Sequence, residues 1–235
     1  PQPDRRWVGH TNATVHRTTR VEGTERTDTG WHLTDADGGE WGPFDALLCN
    51  PPAPQTAALL RDADWDDPAR ESLVEAAESV DYRTVWTAIL GYEFRLDRPY
   101  YALVNPDKSL DIDWLAREEC KPGRVPDGQS ALLVQANSDR PVAHYDHPPA
   151  ENIATLAGLT ADIAGDAPPA DPAWTDHQGW RVALPENGAP EGPLQTAERA
   201  GLYVLGDWVA GEARLHAALR NGLDTGERLA LASAQ

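Results

Sequence analysis

The chain has 235 residues and a formal charge of −18, with 38 acidic against 20 basic residues. Such a balance offers no basic face for a nucleic-acid backbone, and no apolar run approaches the ~20 residues needed to span a bilayer. Hydrophobic residues make up 40 % and nine are Trp, enough to bury a sizeable core and to exclude wholesale disorder.

Only Lys108 and Lys121 are lysines. An acidic surface almost free of Lys points to adaptation to molar salt, where repulsion among carboxylates is screened. Cys49 and Cys120 are too few for a disulfide scaffold and show no metal spacing, so a reducing, high-salt cytoplasm is the expected setting. His144 and His147 lie close enough in sequence to share a metal, but a lone pair in a Pro-rich loop reads as solvated surface, and no metal is expected. No methionine occurs, even at position 1, so either the start was removed or the chain is a piece of a longer protein.

In chain order, alternation of Thr, Val and Arg predicts a strand over Ala13 to Val21. Gly30 to Thr34 predicts a second, Asp35 to Gly39 a turn, Glu40-Trp41 a short third strand, and Phe44 to Cys49 a buried fourth. This meander stops at Asn50-Pro51-Pro52. A short helix is expected over Gln55 to Leu60. A better one starts after Asp67, with Pro68 at its first position, where the missing N–H costs nothing.

Arg83 to Arg95 reads as a long strand, with Val85, Thr87 and Ile89 on one face and Trp86, Ala88, Leu90, Tyr92 and Phe94 on the other. Tyr100 to Val104, Leu110 to Leu115 and Ala131 to Asn137 add strands. A helix over Pro148 to Asp166 aligns Ile153, Leu156, Leu159 and Ile163, and Ala167 to Asp171 is a Pro-rich loop. Trp180 to Leu184 predicts another strand. Runs of strands with one good helix favour an α+β class with an antiparallel sheet. At the end, Tyr203 to Leu205 is an apolar strand, Gly206-Asp207 a turn, and the stretch after Gly211 a helix rich in small residues. Such a turn aims a carboxylate at a hydroxyl, and a helix start offers N–H groups to negative charge.

Four stretches in one order carry a family likeness. They are Phe44-Asp45 with Pro52-Ala53-Pro54-Gln55; Asp113-Trp114 followed by Lys121-Pro122-Gly123-Arg124; His177 with Trp180-Arg181 and Pro185; and Gly206-Asp207-Trp208 with Arg214 and Asn221-Gly222. Across nearly the whole chain they resemble the flavin-dependent amine oxidase superfamily, and its renalase-like branch most closely. The resemblance implies an antiparallel-sheet substrate domain at 82–190. It also implies two pieces of a Rossmann-like FAD domain: the meander and linker at 1–81 and the terminal strand and helix at 191–235.

The likeness begins some way into the family pattern. The Gly-x-Gly-x-x-Gly cradle for pyrophosphate is missing, so the implied partners are FAD, a small-molecule substrate and an N-terminal FAD-binding segment or chain. Trp7-Val8-Gly9 also looks like a family segment, but runs into the Ala13 strand where family members carry a helix.

By the same resemblance, Pro52, Gly206, Asp207, Trp208, Arg214 and Leu215 would touch the cofactor. Asp207 would bond the ribityl or phosphate end of the flavin, or else serve as an ordinary turn residue before a helix. His216-Ala217 stands where the family has Glu-Gly, which puts a methyl at a close approach. Lys121 and Arg124 would face the flavin edge or an anionic substrate, or form an exposed β-turn. Trp114 and Trp180, with Tyr92 and Tyr101, would wall the substrate cleft or simply pack the core. The implied reaction is hydride transfer to FAD from a dihydronicotinamide-like or amine donor; the alternative is a non-catalytic binding or structural module that has lost FAD. No Ser-His-Asp order, zinc spacing or phosphate loop competes with this reading.

Overall fold

The computed structural model describes residues 11–137, 139, 145–165 and 168–233; Trp7, Gly9 and His144 lie outside them. By its contacts the chain divides into two compact units. One comprises Pro1–Val80, Gly188–Ala210 and Arg214–Gln235; the other comprises Asp81–Asn187 with Gly211–Ala213.

In the first unit, β1 (Val21–Thr27), β2 (Gly30–Asp35) and β3 (Glu40–Phe44) form an antiparallel meander. The expected strand over Ala13 to Val21 is corrected: pairing starts at Val21, because the two-residue turn between Thr27 and Gly30 fixes the hairpin register. Trp31 is fully buried, donates from Nε1 to the Ala200 carbonyl at 3.0 Å, and meets Trp65 edge-on at 5.3 Å. Asp35 organises the next turn. Its Oδ1 accepts from the N–H groups of Asp37 and Gly39, and its Oδ2 from the Trp41 indole. These donors hold its carboxyl below the usual range.

The buried stretch after Phe44 narrows to β4 (Leu47–Cys49), which pairs in parallel with β10 (Leu202–Val204). Helices α1 (Ala53–Arg61) and α2 (Pro68–Glu78) pack through Ala57, Leu60, Leu73, Ala76 and Ala77. Asp67 caps α2 by accepting from Ala69 N–H at 2.8 Å.

The second unit is a five-stranded antiparallel sheet in the order β6-β7-β8-β5-β9. Its strands are β5 (Tyr82–Tyr92), β6 (Ala102–Val104), β7 (Ile112–Arg117), β8 (Ser130–Ala136) and β9 (Trp174–Pro185). Helix α3 (Pro149–Ala164) covers one face, burying Trp86, Ala88, Leu90, Ile112, Leu115, Leu132 and Val134 under Leu156 and Ala157, with Ile153, Leu159 and Ile163 beside them. The antiparallel sheet and the α+β class agree with expectation. Strand β9 starts six residues earlier than Trp180, and Asp166 and Ala167 lie outside the described residues.

Tyr92 belongs to this core: it is 1 % exposed and its hydroxyl donates to the Pro169 carbonyl at 2.8 Å. Arg117 is buried too. Its guanidinium donates to Glu119 at 2.8 Å and to the carbonyls of Leu96, Arg98 and Tyr100, clamping the chain between β5 and β6.

Three helices complete the first unit: α4 (Glu191–Glu198), the one-turn α5 (Asp207–Ala210) and α6 (Leu215–Ser233). Helix α4 was hidden by Pro190, Gly192 and Pro193; only Leu194 and Ala197 are buried on it. The terminal helix begins at Leu215, four residues beyond Gly211, because Gly211 adopts φ +69° and the first helical bonds run to the Arg214 carbonyl.

Candidate functional site

The first candidate region lies at the carboxyl ends of β4 and β10, the place where open parallel sheets present ligand-binding loops. Leu205 N–H closes the ladder on the Cys49 carbonyl at 2.9 Å. The chain then turns at Gly206, with φ +136°. A β-carbon there would lie 3.2 Å from Trp208 Cδ1 and 3.3 Å from Asn50 Oδ1, so the conformation demands glycine and the space around it is tight. The Gly206 N–H donates to Asn221 Oδ1 of α6 at 2.9 Å.

Trp208 is buried and its Nε1 donates to the Pro51 carbonyl at 3.1 Å; the same oxygen accepts from Thr56 Oγ1 at 3.0 Å. These bonds bring the Pro51-Pro52 loop beside the Gly206-Asp207-Trp208 turn. Asp207 is half-buried, and its Oδ1 accepts from Trp208 N–H at 2.9 Å. Of the six residues assigned to a cofactor, Pro52, Gly206, Asp207 and Trp208 therefore share one locality. Arg214 and Leu215 stand at the start of α6, both exposed. Ala217 is buried, so its methyl is part of the packed side of that helix.

The second region is the sheet face opposite α3. Cross-strand partners point the same way, so the register names its members. Trp180, Gln178, Asp176 and Trp174 of β9 stand against Val85, Thr87, Ile89 and Gly91 of β5. Thr87 stands against Gln135 of β8, and Gln135 against Trp114 of β7. The register shift between Ile112 and Trp114 puts Ile112 on the α3 face and Trp114 on this one, as a bulge does.

Trp174 and Trp180 are about half exposed, at 49 % and 54 %. Trp114 and Trp180 thus share a face but sit three strand spacings apart, roughly 14 Å, with Thr87 and Gln135 between them. Trp114 also borders a cleft of about 400 Å³ lined by Leu103, Leu110, Ile112, Asp113 and Ile163.

Trp174 was missed because its strand was expected to start at Trp180. Two signals in the sequence point to it: the two-residue spacing of Trp174, Asp176, Gln178 and Trp180, and a glycine at position 91 inside a long strand, which marks a close approach.

Lys121 and Arg124 lie past the far end of β7 from Trp114. Lys121 pairs with Glu118, which raises its ammonium above the usual range, and stands 5.7 Å from the Tyr101 ring. Arg124 N–H donates to the Lys121 carbonyl at 3.3 Å across Pro122 and Gly123, with Gly123 at φ +71°. That is the type II turn its residues specify; Arg124 is exposed there. Among the described residues no group of three or more His, Cys, Asp or Glu is placed to hold a metal. No helix of the described residues is long and apolar enough to cross a membrane.

No protein-family model matches the chain. Its fold is similar to several solved structures. A redesigned putrescine oxidase matches with TM-score 0.69 at 11 % identity over 98 % of this chain and 52 % of its own. Cyclohexylamine oxidase from Brevibacterium oxydans IH-35A gives 0.64 at 14 % over 92 % and 48 %. A protein of Exiguobacterium sp. 255-15 assigned as a protoporphyrinogen oxidase gives 0.65 at 17 % over 91 % and 46 %. The chain spans about half the length of these structures.

Proposed function

We propose that the chain is the C-terminal portion of a flavin-dependent oxidoreductase, renalase-like, that passes hydride from a small donor to FAD. The observation that carries this reading is the turn at the carboxyl ends of β4 and β10. There a glycine of positive φ in tight surroundings precedes a half-buried carboxylate, beside the Pro51-Pro52 loop. These residues suit one end of a flavin: the glycine allows close approach, and a carboxylate accepts from a hydroxyl.

Bound FAD supplies the hydride acceptor. In this reading Asp207 holds its ribityl or phosphate end, and Pro52, Gly206 and Trp208 shape the cradle. Arg214 and Leu215 start the helix that approaches it. The first unit and the C-terminal elements then belong to a Rossmann-like FAD domain, and the five-stranded sheet to the substrate domain. Trp114 and Trp180 wall the donor from the sheet face, excluding water, while Lys121 and Arg124 meet an anionic donor or the flavin edge. Putrescine oxidase and cyclohexylamine oxidase are named for amines, which favours an amine donor; a dihydronicotinamide-like donor rests on the renalase likeness of the sequence alone. The acidic, Lys-poor surface suits a high-salt cytoplasm.

The pyrophosphate site falls to an N-terminal dinucleotide-binding segment, so the isolated chain should bind FAD weakly or not at all. Gel filtration with excess FAD tests this: colourless protein alone, and a yellow complex once the segment is supplied. A stoichiometric yellow complex from the chain by itself would overturn the division of labour.

A further inference from the structure

We infer that the cleft between strands β6 and β7 and the C-terminal end of α3 binds a small ring compound with one uncharged hydroxyl, a phenol or cyclic alcohol, whose O–H donates to Asp113. The cleft lies within the second unit, on the helix-covered side of the sheet. Leu103 stands against Leu115 across β6 and β7. Leu115 and Ile112 belong to the core under α3, and Leu103 and Ile163 pack against it. Trp174 and Trp180 stand on the opposite face, so this inference is independent of the flavoprotein reading.

The walls follow from where the elements stop. Helix α3 ends at Gly165, which takes φ +66° as its cap, and strand β6 is three residues long. Ile163 and Ala164, in the last turn of α3, form one wall, and Leu103, Ile112 and Leu115 form the floor. Tyr100 and Trp114 add two aromatic rings. Val104 and Leu110 complete the lining and are 69 % and 46 % exposed, which places them at the mouth. A volume of about 400 Å³ lies within the range of small-molecule sites, and mostly apolar walls with few polar groups are their usual make-up.

The polar end is Asp113, carried into the lining by the bulge between Ile112 and Trp114. Lys108 pairs with its Oδ2, while its Oδ1 is buried with no hydrogen-bond partner among the described residues. A buried carboxylate oxygen without a donor is unfavourable. Asn105 also lines the cleft but cannot serve, because its Nδ2 already donates to the carbonyls of Leu110 and Ile112, each at 3.0 Å.

Charge narrows the ligand. Lys108 neutralises Asp113, and the Arg98 guanidinium in the lining is held by the carbonyls of Asp97 and Ala164, each at 3.4 Å. A cationic ligand would bring a third cation to one carboxylate. An anionic ligand would bring a second negative group to Asp113 and no donor. A neutral hydroxyl meets neither obstacle and supplies the missing donor, and a ring suits the aromatic and aliphatic walls.

The test titrates the full chain with naphthol, read by the probe's own fluorescence and by resonance shifts in the protein. Naphthol should bind about ten- to a hundredfold more tightly than naphthalene, the increment of a hydrogen bond to a charged acceptor. The methyl resonances of Leu103 and Ile163 and the indole N–H of Trp114 should move. Naphthoate and naphthylmethylammonium should bind no better than naphthalene. Asp113→Ala should erase the preference for naphthol. Val104→Glu puts a carboxylate at the mouth; it should weaken naphthol at least about tenfold and leave the melting midpoint within about 2 °C of the parent.

Equal affinity for naphthol and naphthalene in the parent would mean that Oδ1 does not serve the cleft, and would overturn the inference. So would the lack of saturable naphthol binding, a preference for either charged probe, or shifts confined to Trp174 and Trp180. A preference for naphthol that survives Asp113→Ala would assign the hydroxyl to another acceptor and also overturn it. Should Asp113→Ala fail to fold, the parent's preference and its response to Val104→Glu decide.

Discussion

The indole of Trp174 lies across Gly91, so near that a β-carbon on the glycine would sit 1.9 Å from Trp174 Cε2. The two residues face each other in the β5–β9 ladder. The close approach tethers a half-exposed aromatic ring to the sheet face proposed to wall the donor.

Gly91→Ala should expel that ring. The expected cost is about 1–3 kcal/mol, the range for inserting a methyl into packed structure, and at the low end because Trp174 has solvent to swing into. The indole N–H resonance of Trp174 should move toward its free-solution position. An unmoved resonance in a folded variant would mean that the strand, not the ring, yields.

Asp207 has one observed role and one proposed role. Its bond to Trp208 N–H closes the turn, so Asp207→Ala should lower chain stability by about 0.5–2 kcal/mol. In protein reconstituted with FAD the same variant should weaken affinity on the order of ten- to a hundredfold, since a charged acceptor is typically worth about 1.5–3 kcal/mol. Asp207→Asn keeps an oxygen to accept from Trp208 N–H and removes the charge. Equal flavin affinity of parent and both variants would leave Asp207 as a turn residue only.

Arg117 is a buried cation of the second unit, and it answers to structure. Arg117→Met would strand Glu119 and leave the carbonyls of Leu96, Arg98 and Tyr100 without their donor. Breaking a buried pair in this way costs about 3–5 kcal/mol. Denaturant unfolding should show it as an early loss of β6 and of the chain before it. A variant as stable as the parent would contradict the clamp.

The thiols should differ sharply. Burial pushes Cys49 up to about 11, while Cys120 is exposed. At pH 8 a disulfide reagent should take Cys120 quickly and Cys49 only on unfolding. Because the folded pKa of Cys49 is raised, its effect on stability is absent below pH 9. Above that the unfolded thiol ionises first, so stability declines between about pH 9 and 11. Fast labelling of both thiols in native protein would contradict the buried placement.

The fold should need salt. With a net charge of −18, repulsion among carboxylates is long-ranged below ~0.1 M, where the screening length exceeds ~10 Å. The thermal midpoint should climb from low to molar KCl. A flat or falling midpoint would remove salt adaptation as the reason for two lysines.

Much of the chain was legible because its patterns are strong. The cap Asp67 with Pro68 marked α2, and the three- and four-residue spacing of Ile153, Leu156, Leu159 and Ile163 in α3 marked its packed side. Strand β5 announced its two faces by alternation, and the register bears them out through partners the sequence could not name. Failures came where pairing overrides pattern. Strand β1 buries only Thr24, so apolar periodicity says little, and the hairpin sets its start. Helix α4 is short and interrupted by Pro and Gly. The start of α6 depends on the φ of Gly211, a torsion that a run of small residues does not announce. Of the candidate site, the glycine turn was visible as a motif. Its stitching to Pro51 and Asn221 depends on contacts between segments remote in sequence.

That remoteness has a kinetic consequence. The pairing of Leu47 with Leu202 brackets the entire second unit. Nearly all of the second unit is one continuous stretch with neighbouring strands in contact, so it can form while the chain is still being made. Strand β4 must stay unpaired until β10 emerges, although β1 to β3 can pair locally, and closing so long a loop slows that step further. Truncation before Leu202 should therefore leave the five-stranded sheet standing and strand β4 exposed, a short apolar edge most vulnerable to aggregation during synthesis.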